Sequence, residues 1–107
     1  MIARVWKAWA SRERADAYEH LLRSEILPEL DAVEGCHGAY VLRRDDVGPE
    51  VEFLVLHLFE SLDAVMRFAG DPYEAAVVPE AARTLLARFE TTAEHYGVRS
   101  TPHPRPR

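Results

Sequence analysis

Over residues 2–10, β-branched and aromatic side chains fall on both alternating sets, Ala3, Val5, Lys7 and Trp9 on one and Ile2, Arg4, Trp6 and Ala8 on the other. This period of two predicts a strand with apolar groups on both faces. The same holds over 50–59, where Val51, Phe53, Val55, His57 and Phe59 alternate with Leu54, Leu56 and Leu58. A third strand is expected over 38–44, where Gly35 and Gly38 bracket the turn into it. Asp45, Asp46, Gly48 and Pro49 supply the turn chemistry out of it. A fourth is expected over 89–96.

Between the strands the period changes to that of a helix. Ala15, Tyr18, Leu22 and Ile26 recur at helical spacing after Ser11, which can cap the first turn, with Glu13 near the positive end of the dipole. This helix is expected to run to about residue 26, with Pro28 at its end or its kink. Ser61 and Asp63 open a second helix whose stripe is Leu62, Val65, Met66 and Ala69, and Gly70 stops it. Pro79 suits the first position of a short third helix reaching about residue 87.

The order strand, helix, strand, strand, helix, strand is the ferredoxin-like split βαβ pattern of an α+β domain. Right-handed crossovers place both main helices on one face of a four-stranded antiparallel sheet of order 4-1-3-2. The two central strands are then the two with apolar residues on both faces. Helices cover only one of those faces, so a second copy of the sheet is expected on the other, giving a homodimer. Residues 1–99 are expected to form one domain, and 100–107, with Pro102, Pro104 and Pro106 at every second position, an extended or mobile tail.

Composition narrows the function classes. With 48% hydrophobic and 29% charged residues the chain can build a core, and a net charge of -5 speaks against nucleic acid as a partner. No apolar run approaches a membrane span and the N-terminus lacks a signal-peptide layout, so a cytoplasmic protein is expected. Cys36 is the single cysteine and forms no intrachain disulfide. His20, His37 and His103 are scattered, no grouping has metal-ligand spacing, and phosphate-loop, dinucleotide and GxSxG motifs are absent from the sequence. The expectation is a site with neither metal nor cofactor.

In this topology His57 and His95 lie at one end of the sheet, about two strand spacings or roughly 10 Å apart. Imidazole is suited to taking a proton from a phenol or hydroquinone near neutral pH, and either histidine could serve. Each also reads as a half-buried histidine bonded to backbone.

The segments Ile2-Ala3-Arg4-Val5-Trp6-Lys7-Ala8-Trp9, 52–65 and Tyr73-Glu74-Ala75-Ala76-Val77-Val78-Pro79, in this arrangement, resemble the antibiotic biosynthesis monooxygenase family. The resemblance implies the dimeric α+β barrel fold. It also implies a pocket between sheet and helices for a small aromatic ligand, at positions held here by Trp6, Trp9, His57, Phe68 and Tyr73. Trp6 and Trp9 point to opposite faces of their strand, so only one can line a given pocket. Family members include cofactor-free oxygenases, quinol monooxygenases and haem-degrading enzymes. Where the last carry an iron-binding histidine after the second helix, this chain has Val77 and Val78. The implied activity is cofactor-free oxygenation of a small planar phenol or quinol. The other reading is a homodimer of the same fold that binds a ligand without turning it over.

Overall fold

A computed structural model describes residues 1–46 and 48–102. Strand β1 (Ile2–Ser11) leads into α1 (Arg12–Leu21), a π-helical turn (Leu22–Ile26) and α2 (Leu27–Asp31). Then follow β2 (Cys36–Arg44), β3 (Glu50–Phe59), α3 (Leu62–Ala69), α4 (Glu80–Arg83), β4 (Arg88–Phe89) and β5 (Glu94–Gly97). The sheet order is β2-β3-β1-β4, with β5 also paired to β1 and every ladder antiparallel. This is the expected α+β ferredoxin-like sheet of order 4-1-3-2, with the helices on one face.

The central ladder joins β1 and β3 along their full lengths, from Ile2 opposite Phe59 to Ser11 opposite Glu50. Alternation then sorts the side chains. Ala8, Ala10, Val51, Phe53, Val55 and Phe59 face the helices and are almost fully buried with Tyr18, Leu22 and Val65. Burial of this apolar surface is the main stabilising contribution to the fold. The opposite face carries Val5, Trp9, Leu54, Leu56 and Leu58 at its centre, and Tyr40, Leu42 and Tyr96 stand more than half exposed at its sides. At Gly35, φ is +86° and an added Cβ would lie 2.7 Å from the Ala64 Cβ, so only glycine lets the start of β2 lie this close to α3.

Three boundaries differ from expectation, each for a local reason. The first helical run does not end near residue 26. It widens into the π turn, where the Leu27 N–H bonds the Leu22 carbonyl five residues back, and this shift of register admits Pro28 at the start of α2. The fourth strand is not continuous over 89–96. Residues 91–93 leave β1 to pair with 74–76, through Ala76 N–H to Thr91 O at 2.9 Å and Ala93 N–H to Glu74 O at 2.8 Å. The third helix is a single turn with Pro79 as its N-cap, shorter than the expected 79–87. Ser61 caps α3 as expected, accepting from Ala64 N–H at 3.2 Å, whereas Ser11 makes no side-chain cap bond.

Of the expected tail, 100–102 carry no regular structure and 103–107, with His103, lie outside the described residues. Among the described residues no helix is long and apolar enough to cross a membrane.

Candidate functional site

Between the helix-facing side of the sheet and its covering helices lies a cavity of about 270 Å³. Its floor is Trp6 of β1 with Val55 and His57 of β3. Tyr18, Leu22, Ile26 and Leu30 wall it from the first helical run, Phe68 from α3, and Val77, Val78, Pro79 and Ala82 from the segment that follows. Glu29 is the one formally charged lining residue, and it is exposed. Apart from Glu29, the His57 imidazole and the Tyr18 hydroxyl the lining is apolar, and the size is near the lower end of small-molecule pockets, which suits a ligand of one or two rings.

The π turn contributes directly to this shape, since Leu22 and Ile26 project from it into the cavity. Trp6 is held in one orientation because its Nε1–H donates to the Glu90 carbonyl at 2.5 Å. His57 sits edge-on to Phe59 and Phe68, at 6.2 and 6.0 Å between ring centres. Its Nε2 is buried and has no hydrogen-bond partner, alone in this among the buried side-chain polar atoms of the described residues. Burial first, and then the nearby Arg4 charge, pull its pKa down to about 4. The imidazole is therefore neutral near pH 7, with one ring nitrogen uncommitted beside an apolar cavity.

His95 has a different setting. Arg4 lies directly across from His57 in one ladder and from His95 in the other, so the two histidines flank Arg4 at one level of the sheet. Arg4 donates to His95 Nε2 at 3.0 Å. Burial and that cation lower the His95 pKa, with Glu74 opposing them. His95 does not line the cavity and instead packs edge-on against Tyr73, 5.1 Å between ring centres. Tyr73 also lies outside the cavity lining; hydrogen bonding to Glu74, its charge, and burial raise the phenol's pKa.

Of the aromatic positions singled out from sequence, Trp6 and Phe68 thus line the cavity with His57, while Trp9, Tyr73 and His95 do not. Trp9 is on the open face of the sheet, where its Nε1–H donates to Glu52 at 3.1 Å and the Arg88 guanidinium covers its ring at 3.8 Å.

A family model described as antibiotic biosynthesis monooxygenase matches residues 1–80, a span holding both central strands and nearly all of the cavity lining. The chain belongs to that family. Solved structures agree in fold. A putative antibiotic biosynthesis monooxygenase from Deinococcus radiodurans is 18% identical with a TM-score of 0.65, covering 99% of this chain and 100% of that one. A Streptomyces coelicolor monooxygenase in complex with nanaomycin D is 16% identical with a TM-score of 0.67, covering 97% and 92%. SnoaB of Streptomyces nogalater, a cofactor-independent oxygenase, is 16% identical with a TM-score of 0.62, covering 94% of each chain. At these identities the likeness speaks to fold. A search of the curated proteins finds no match.

For this antibiotic biosynthesis monooxygenase family member, two site residues escaped the sequence reading. Tyr18 belongs to the helical stripe that reads as core, and it is 1% exposed and edge-on to Phe53 at 4.9 Å. It also lines the cavity, and burial raises its pKa, so its hydroxyl stays protonated. Arg4 is 3% exposed, the one charged residue so buried among the described residues. A signal for it was present, because an arginine between Ile2 and Trp6 on a helix-facing set is a charge where apolar groups belong. Among the described residues no three His, Cys, Asp or Glu side chains lie together as a metal site would need.

Proposed function

We propose that this chain is a cofactor-free oxygenase of a small planar phenol or quinol, acting as a homodimer, with its ligand in the cavity above His57. The observation that carries the reading is the buried, unpartnered Nε2 of His57 beside an apolar cavity. A buried polar atom without a partner is costly, and a ligand hydroxyl is the group that would satisfy it. Trp6 and Phe68 supply flat apolar surfaces for a ring.

In this reading His57 Nε2 takes the hydroxyl proton, and the O–H electron pair stays on the substrate and delocalises onto a ring carbon. Dioxygen bonds to that carbon, the peroxide O–O bond breaks, one oxygen remains as a carbonyl and the other leaves as water. The substrate supplies the electrons, so a quinol and dioxygen yield a hydroxyquinone and water. An imidazole with a pKa near 4 is a weak base by itself. Charging it beside the phenolate it creates offsets part of that cost. His95 serves less well, since its Nε2 is already engaged by Arg4.

The homodimer rests on the open sheet face, where Val5, Leu42, Leu54, Leu56 and Leu58 form an apolar cluster beside Lys7, with Trp9 beyond it under Arg88, a surface that a second sheet would cover. Ligand and partner then use opposite faces of one sheet.

The test is oxygen uptake with a panel of hydroquinones and naphthols, with anaerobic incubations as blanks. Wild type should consume oxygen and His57→Ala should lose at least about 100-fold of the rate. Equal uptake by the two proteins would overturn the assignment. The low pKa of His57 also favours the second reading, a homodimer that binds the ring without turnover. Saturable binding without uptake would select it.

A further inference from the structure

Arg4 occupies the centre strand on the side facing the helices, 3% exposed, and no carboxylate of the described residues lies within ion-pair distance of it. A cation in such a place must be satisfied mainly by dipoles, with the Glu74 carboxylate adding attraction from beyond ion-pair distance. Its Nη1 donates to the Tyr73 carbonyl at 2.6 Å and to His95 Nε2 at 3.0 Å, and its Nη2 donates to the Ala75 carbonyl at 2.9 Å. The guanidinium carbon stands 5.5 Å from the centre of the Phe68 ring.

The two carbonyls belong to one stretch of chain, which goes on without a break to Val77, Val78 and Pro79, three walls of the cavity. No regular helix or strand holds residues 70–79. On one side the stretch is tied to 91–93 by the Ala76 and Ala93 N–H bonds. On the other side the fork of Arg4 is its tie to the central strand. The interruption of the fourth strand and the burial of Arg4 therefore serve one arrangement, a cavity wall gripped from both sides. Two carbonyls two residues apart call for a planar fork with several N–H groups, which an ammonium does not offer.

We infer that Arg4 is the positioning residue of this cavity, clamping the 73–79 stretch so that Val77 and Val78 close against a bound ring. The inference rests on the cavity being the ligand site. Arg4 is not among the residues that line the cavity, so its role is exerted through this stretch.

The test pairs amide hydrogen exchange with calorimetric titration of 1-naphthol, a planar phenol, on wild type, Arg4→Lys and Arg4→Met. Arg4→Lys keeps the charge and the stem and is the variant expected to fold; Arg4→Met removes the charge as well. In both, amides of 74–78 should exchange at least about tenfold faster while those of Val55 and Phe53 keep wild-type rates, and 1-naphthol should bind at least about tenfold more weakly. Lysine failing to rescue marks a clamp and not a charge effect. Wild-type exchange in 74–78 of Arg4→Lys overturns the inference, as does faster exchange with unchanged binding. If wild type itself binds no 1-naphthol, that result counts against the ligand-site reading, and the exchange pattern still decides the clamp.

Discussion

Arg4 donates a 3.0 Å hydrogen bond to His95 Nε2. Because a guanidinium in a protein keeps its protons, the imidazole nitrogen it meets must be the acceptor, which puts the His95 proton on Nδ1. One of the two histidines that the sequence places at the same end of the sheet is thereby spoken for, and the other, His57, keeps a free nitrogen beside the cavity.

His95 should be the Nδ1–H tautomer and titrate below 6.5, since burial and the Arg4 cation both oppose its protonation. Nitrogen-15 NMR of the imidazole checks this. Arg4→Met should move the His95 midpoint upward; an unchanged midpoint would show that Arg4 exerts no hold on it.

Stability should fall on acidification because of His57. Its folded pKa, about 4, lies below the unfolded 6.5, so between those values the unfolded chain binds more protons and unfolding becomes more favourable as pH falls. The full effect is about 3 kcal/mol from a shift of this size. His95 adds to it in the same direction. Urea unfolding midpoints at pH 7, 5.5 and 4 should drop steadily for wild type and less for His57→Phe. Parallel curves for the two proteins would count against a neutral buried His57.

The two tryptophans should separate by function. Trp6 lines the cavity and Trp9 lies on the open face under Arg88. Trp6→Ala should weaken 1-naphthol binding by about tenfold or more through lost ring contact. Trp9→Ala should leave the intrinsic affinity of the cavity within about threefold and act on self-association. Calorimetry on both variants decides the matter, and the reverse order of effects would mean that the ligand lies on the other face.

Leu56 is central to the open face, opposite Val5 in one ladder and Tyr40 in the other. A carboxylate there would be buried without a partner in a sheet-on-sheet dimer. Light scattering behind size exclusion should give twice the chain mass for wild type and the single mass for Leu56→Asp at micromolar concentration. A monomeric wild type would remove the dimer from the account.

Much of this arrangement was legible in the residue pattern. Strands β1 and β3 announced themselves by apolar groups on both alternating sets, and their central place followed from chain order and crossover hand. The spacing of Trp6 and Trp9 already put them on opposite faces. What was not legible came from contacts distant in sequence. Residues 91–93 have the composition of a strand, and only the competing partner 74–76 draws them off β1. Pro28 marks a helix end by local rules, yet the π turn before it absorbs the missing donor. Tyr18 and Arg4 were hidden for opposite reasons. The first looked like ordinary core, and the second, a charge among apolar neighbours, acquires its role only when carbonyls 69 and 71 positions away meet it.

The most direct test of the site is to follow the five histidine imidazoles by NMR while adding 1-naphthol, a stable planar phenol. A ligand site above His57 predicts a saturable shift of the His57 resonances, the largest among the histidines, and its disappearance from the spectrum in His57→Gln together with weaker naphthol binding. Saturable binding that leaves His57 unmoved would contradict it.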